Sequence, residues 1–355
     1  MTSRKLIISL AVIVVLIILA LGLFFIFKKI PAKNIEIENI SSKEPKVSEL
    51  PAAESDQTKK SPISGLPCQN YNHRPIAVML SEDSAARPLS GLTDADLVIE
   101  MPVITNTMTR LMAVYVCGQP QEIGSVRSAR HDFIPLAMGL DAIFAHWGGS
   151  HFALDKLNAK IMDNIDGLPN PYDAFYRKNN VPMPHNGFTS IERLDKAAGQ
   201  LSFRLDGKFE GYPHFQVDSQ QTIGAESKNL LINYPYPCNV RYKYQPETNT
   251  YLRFRAGQPE VDKLSDKQVE AKNIVIMRAA SRQIEGPYYN DVDVEGQGSC
   301  QIYQNGKVVE CAWQKDKQNQ ASKLFFYDKN GQEIKFVPGQ IWIEIIEPGQ
   351  KITWN

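Results

Sequence analysis

The chain carries no excess of either charge: across 355 residues, 39 Lys and Arg balance 39 Asp and Glu. No global field is available to hold nucleic acid or an anionic surface, so no nucleic-acid partner is expected, although a local anion site survives that exclusion. Histidine is scarce, at six residues. The sequence has no H-E-x-x-H, C-x-x-C or G-x-S-x-G and no Gly-rich phosphate loop, which removes the motif-defined metalloproteases, thioredoxin-like redox proteins, α/β-hydrolases and P-loop enzymes. Metal-ligand spacing is absent too. Neither a metal nor a cofactor is expected, short of His146, His151 and His185 meeting in space. No internal repeat is visible.

One long apolar run stands out. "LIISLAVIVVLIILALGLFFIF", Leu6–Phe27, contains no charge. As a helix rising ~1.5 Å per residue it is long enough for the ~30 Å core of a bilayer. A cleavable signal peptide has a shorter apolar region of ~7–15 residues and a small-residue cleavage site. No cysteine lies in or just after the run, so lipid attachment there is excluded. The expectation is an uncleaved single-span anchor in the cytoplasmic membrane, with residues 1–5 as a cytoplasmic tip and residues 28–66 as a flexible Lys/Glu/Ser/Pro-rich stalk. Arg4 and Lys5 before the run nearly tie with Lys28, Lys29 and Lys33 after it, so charge bias does not orient it.

The cysteines bear on orientation. In "GSCQIYQNGKVVECAW" a two-residue Asn305–Gly306 turn would place Cys300 opposite Cys311 on paired strands, about 5 Å apart and within disulfide reach. Cys68 and Cys117 meet as well if "RPIAVML" and "RLMAVYVC" pair antiparallel. The alternative is buried free thiols, the state expected of Cys238. Bridges would place the folded part in an oxidising compartment outside the cytoplasm.

From Pro67 the pattern is globular. "RPIAVML" (74–80), "ADLVIEMPV" (95–103) and "RLMAVYVC" (110–117) read as core strands. "SARHDFIPLAMG" (128–139) reads as a short helix capped by Ser128 with a kink at Pro135. "LDAIFAHW" reads as a buried strand ending at Gly148–Gly149, followed by a helix capped by Ser150 and another over 190–201. Beyond about residue 226 hairpin signals dominate. The expected fold class is α+β: an α/β layer domain with a mixed sheet over 67–225, then a mostly antiparallel β domain over 226–355.

The stretches "RPLSGLTDADLVIE", "MTRLMAVY", "EIGSVRSAR", "AHWGGS" and "PHNGFT", together with the later "GQGSCQIYQNGKVVECAW" and "GQIWIEI", resemble the YerB-like family of bacterial surface lipoproteins of unknown function. The resemblance covers roughly residues 67–350 and implies an extracytoplasmic, membrane-tethered, two-domain protein without supplying a reaction. Two departures stand out. A transmembrane run replaces the family's lipid-attachment cysteine, and "VITNTMTR" replaces a Glu-Gly-Gly-like stretch before the Thr-Arg pair.

Three stretches could carry chemistry. In "GSVRSAR", Arg127 and Arg130 flank Ser128 at an expected helix start, where free N–H groups and two guanidiniums would take a phosphate or carboxylate. The alternative is a structural ion pair with Asp94, Asp96 or Glu100. In "AHWGGSH", Gly148 and Gly149 make a tight strand-to-helix turn, and His146 and Ser150 would face a ligand at the strand end. His151 is expected to be solvated. In "VPMPHNGFTS", two prolines stiffen a loop presenting His185 and Asn186, unless the loop is only a rigid surface cap. Asp291 and Asp293 are expected on a solvated face, and the tyrosines at 234, 236, 242 and 244 within the β domain.

Two functions fit these residues. One is a binding module whose Arg/His-lined cleft holds an anionic cell-envelope polymer or protein partner. The other is an envelope hydrolase or transferase in which Arg127 and Arg130 clamp an anion while His146 or His185 moves protons. Binding is favoured because no nucleophile is assured.

Overall fold

The structure is a computed structural model that describes residues 59–104, 107–218 and 224–355. The apolar run Leu6–Phe27, the tip before it and the stalk up to residue 58 lie outside the described residues. Among the described residues, no helix is long and apolar enough to cross a membrane.

The main element is an eleven-stranded mixed sheet. Its principal strands, numbered along the chain, are β1 Ile76–Ser81, β2 Leu97–Ile104, β3 Met108–Tyr115, β4 Ile143–His146, β5 Asn164–Asp166, β6 Asn273–Arg278, β7 Gly296–Gln304, β8 Lys307–Lys315, β9 Phe325–Tyr327 and β10 Ile341–Ile346. Their order across the sheet is β9-β8-β7-β6-β10-β2-β3-β1-β4-β5, and Ala225–Glu226 adds to β8. β10 is parallel to both of its neighbours, β6 and β2, so strands from residues 67–225 and from residues 226–355 share one sheet. Covered on both faces, β10 is buried at every position of "IWIEII", the continuous pattern expected of such a strand.

Alternation sends successive side chains to opposite faces. Ile76, Val78 and Leu80 of β1 join Leu111 and Ala113 of β3 in one core. A second, antiparallel six-stranded sheet closes that core, contributing Leu230, Ile232, Val240, Tyr242 and Tyr251. Ala77, Met79, Met112 and Val114 point the other way. There they meet Phe133, Ile134, Leu136 and Ala137 of helix α1 (Phe133–Gly139) and Ala153 and Leu157 of helix α2 (His151–Asn158). Helix α3 (Ile191–Gln200) lies on the first face through Ile191, Leu194, Ala197 and Ala198. The protein is therefore mostly β. Among the described residues three α-helices, of 7, 8 and 10 residues, cover parts of the sheet without forming a continuous layer.

Several local expectations hold. Ser150 and Ser190 cap α2 and α3 by accepting from the N–H groups of Ala153 and Arg193. Both disulfides are present: Cys300 and Cys311 are register partners with Cα atoms 4.8 Å apart, and Cys68 and Cys117 lie 5.8 Å apart. Cys238 is free and buried.

Others are corrected. The segment from Ser128 to Asp132 is not helical and Ser128 caps nothing. Ala129 instead forms a bridge with Gly149, and its N–H donates to the Gly148 carbonyl, so α1 starts only at Phe133. Pro135 falls in the first turn, where an N–H would be unsatisfied anyway, and makes no kink. Residues 59–66 belong to the fold rather than to the stalk: Ile63 is fully buried, and the Ser61 and Ser64 hydroxyls donate to Asp96.

Candidate functional site

The site forms where β1 and β4, parallel neighbours, run out. Beyond them the strip from Ser125 to Ser150 is stitched by backbone bonds. The Ser81 N–H donates to the Ser125 carbonyl, that of Arg127 to Met79, and that of Trp147 to Arg127. Gly148 adopts φ +63, a left-handed conformation that favours glycine, and its N–H donates to Asp166 Oδ1 at 2.7 Å. Gly149 sits so close to Ala129 that a Cβ there would lie 3.3 Å from the alanine methyl. The two glycines thus lock the strip against the sheet end.

That strip delivers Arg127 and Arg130 to a third guanidinium. Arg110 is the third residue of β3, opposite Ser81, and is 4% exposed. Its Nη1 donates to the Ser128 carbonyl at 2.7 Å, while its Nε has no partner. Burial pushes its pKa well down, and the charges of Arg130 and Arg127 push it further. Burial likewise lowers Arg130, with Tyr289 pulling it up and Arg127 pushing it down. Each of the three has a buried Nε without a partner. Among the described residues, only Asp83 makes an ion pair with any of them, its Oδ2 lying 3.4 Å from Arg127 Nη2. A guanidinium offers five donors, and most here are unspent. The like charges crowd because the backbone holds them there, and an anion would relieve the crowding.

His185 joins this group. Its Nδ1 lies 3.8 Å from Asp83 Oδ2, and the preceding carbonyl of Pro184 accepts from Arg127 at 3.4 Å. Burial lowers its pKa, Asp83 draws it up and Arg127 pushes it down, leaving a ring depressed below its ordinary value. The hydroxyl of Ser125, in the adjoining strip, is also buried without a partner.

The other expected residues do not converge. His146 is fully buried; its Nδ1 meets the Gly148 carbonyl at 2.8 Å and its Nε2 meets Asn164 Oδ1 at 3.2 Å. Fully buried and turned onto these two oxygens, His146 braces the turn. Ser150 is spent as the cap of α2. Asn186 accepts from Arg177, which stacks 4.3 Å from the Trp147 ring. His151 lies on the surface, 3.0 Å from Glu285, and does not meet His146 or His185. The ion-pair alternatives also fail among the described residues. Asp96 accepts from Ser61, Ser64 and the N–H groups of Val116 and Cys117, while Glu100 pairs with Arg253 and Arg255. Arg110 was missed in "MTRLMAVY" because a lone Arg within a strand carries no spacing signal.

The opposite face of the same sheet end holds a second unanticipated group. Arg253 and Arg255 from the antiparallel sheet insert between Glu82, Glu100, Glu260 and Glu344. The Arg253 guanidinium stacks 4.0 Å from the Trp342 ring, and Tyr242 donates to Glu344 at 2.6 Å. Burial raises Glu82 to about 8 and Glu344 to about 7. Burial would also raise Glu260, but Arg253 and Arg255 outweigh it and hold that carboxyl low. Sealed from solvent, this network ties the two sheets together.

Known proteins share this architecture. Residues 63–204 match the N-terminal domain, and residues 231–343 the C-terminal domain, of a protein family of unknown function, DUF3048. The chain is 33% identical over 292 residues to YerB of Bacillus subtilis (strain 168), a protein named as a candidate lipoprotein; the match takes in 81% of this chain and 86% of that one. The crystal structure of the YerB protein from Bacillus subtilis is similar with a TM-score of 0.74 at 32% identity, covering 83% of this chain and 99% of that chain.

Proposed function

Because the chain belongs to the YerB-like family, with its paired DUF3048 domains, we propose that it is a membrane-tethered protein of the cell envelope that holds an anionic ligand at Arg110, Arg127 and Arg130. The observation that carries this reading is the partly buried group of guanidiniums with unspent donors and, among the described residues, a single paired carboxylate, Asp83. Tethering follows from the uncharged run Leu6–Phe27 and accords with the lipoprotein name of the Bacillus relative. The two disulfides support a location of the folded part outside the cytoplasm, where thiols stay oxidised. The ligand is an anionic envelope polymer or an acidic partner, gripped by bidentate guanidinium contacts.

A second reading, an envelope hydrolase or transferase, is favoured by one feature: His185 has a lowered pKa and stands beside Arg127 and Asp83. Against it, His146 is committed to the turn. The experiment is a screen of the full-length chain in detergent against phosphorylated and glycan ligands, with Arg130→Ala as control. Arg130-dependent binding without turnover supports the binding module, Arg130-dependent turnover moves the assignment to the enzyme, and binding indifferent to Arg130 removes the site.

A further inference from the structure

One residue beyond the arginine group, the chain turns from cations to potential metal ligands. His131 Nε2 lies 3.1 Å from Asp132 Oδ1 and 3.2 Å from Asp291 Oδ1, and the ligand atoms of the three residues all fall within 4.8 Å of one another. Asp291 comes from the strand Tyr289–Val292 of a hairpin with Ser281–Glu285, so the group joins segments far apart in the chain.

We propose that His131, Asp132 and Asp291 bind a divalent cation of the Mn²⁺ or Zn²⁺ class beside the arginine site. An ion with ligand bonds of ~2.1 Å in octahedral geometry holds neighbouring ligand atoms ~3 Å apart, close to the 3.1 and 3.2 Å that separate His131 Nε2 from the two carboxylate oxygens. One imidazole with two carboxylates suits a borderline ion better than Ca²⁺, which takes oxygen ligands alone.

A pure hydrogen-bonded triad explains the group less well. It requires the proton on Nε2, yet the buried Nδ1 has no partner, so nothing in the protein commits the ring to that form. Asp132 is only 5% exposed, and Asp291 is set against it. Arg282 is largely exposed and pairs with the other oxygen of Asp291, Oδ2, so Oδ1 faces His131. Three ligands leave open coordination positions, and Arg130 is the adjoining residue, so an anion could bridge ion and guanidinium.

The test is titration of the full-length chain in detergent with Mn²⁺ or Zn²⁺ alone, in a buffer without phosphate, by calorimetry. Because no phosphate or other oxyanion ligand is supplied, failure here is distinct from failure of the arginine site. The expected result is one ion per chain, weakened at least tenfold in Asp132→Asn and in Asp291→Asn. Unchanged affinity in both variants, or no saturable binding by the native chain, overturns the proposal. Should a variant not fold, the His131 ring resonance of the native chain decides. Broadening of that signal first among the six histidines by substoichiometric Mn²⁺ supports the site, and its persistence refutes it.

Discussion

Glu100 and Glu344 are register partners on adjacent parallel strands, both fully buried, and Arg253 makes an ion pair with each. Two like charges side by side in a core are tolerable only if cations intervene or one carboxyl keeps its proton. Both solutions are used: Arg253 and Arg255 supply the cations, and Glu344 is raised to about 7 by burial and by Glu100.

A pH dependence follows. A carboxyl whose folded pKa is raised contributes stability that is fully present below its unfolded pKa and is lost as pH rises through the folded value. For Glu344 the loss runs from its ordinary value of 4.5 to about 7, and amounts to roughly 3 kcal/mol. Glu82 extends the same trend to about 8. Glu260 has the opposite sign: its pKa is lowered, so its contribution is present above the unfolded pKa and lost in acid. Glu344→Gln keeps the acceptor for Tyr242 and cannot ionise. Urea unfolding between pH 5 and 8 is expected to show a flatter profile for this variant than for the native chain. An unchanged slope would mean that Glu344 is ionised throughout.

Removing a cation from the network should cost as much or more. Arg253→Met leaves Arg255 as the one guanidinium among Glu82, Glu100, Glu260 and Glu344 in a space closed to water, and breaking a buried ion pair by removing one partner costs roughly 3–5 kcal/mol. Chemical denaturation at neutral pH measures the loss, which should shrink in acid as the carboxyls are protonated.

Reduction should separate the two bridges. Cys68–Cys117 spans 49 residues and Cys300–Cys311 spans 11. On loop-closure entropy the longer loop contributes about 1 kcal/mol more. Cys68→Ser/Cys117→Ser should therefore lower the melting temperature more than Cys300→Ser/Cys311→Ser.

His146→Ala tests the reassignment of that residue. It deletes the partner of Gly148 and Asn164 from a fully buried position, so the expected outcome is a loss of stability of about 1–3 kcal/mol. Anion affinity of the protein that remains folded should stay within a few-fold of native.

Local structure was legible wherever neighbours along the chain decide it. The Gly148–Gly149 joint, the Ser150 and Ser190 caps and the Asn305–Gly306 hairpin all depend on residues within a few positions. What depends on distant partners was not. The segment after Ser128 has a helical pattern, yet Ala129 is claimed by Gly148 and Gly149. No pattern in "IWIEII" says that it lies between β6 and β2. Arg127 and Arg130 were found by their spacing, whereas Arg110 arrives through strand pairing. His131 and Asp291 meet only because a hairpin folds back from far along the chain.

The central claim is that Arg110, Arg127 and Arg130 form one anion site, and calorimetric titration of the full-length chain with inorganic phosphate tests it most directly. The account predicts saturable binding that weakens with salt and falls roughly tenfold or more in Arg110→Met, with the ligand-free variant no less stable than native because like-charge crowding is relieved. Phosphate binding of equal strength in Arg110→Met, or none in the native chain, would contradict it.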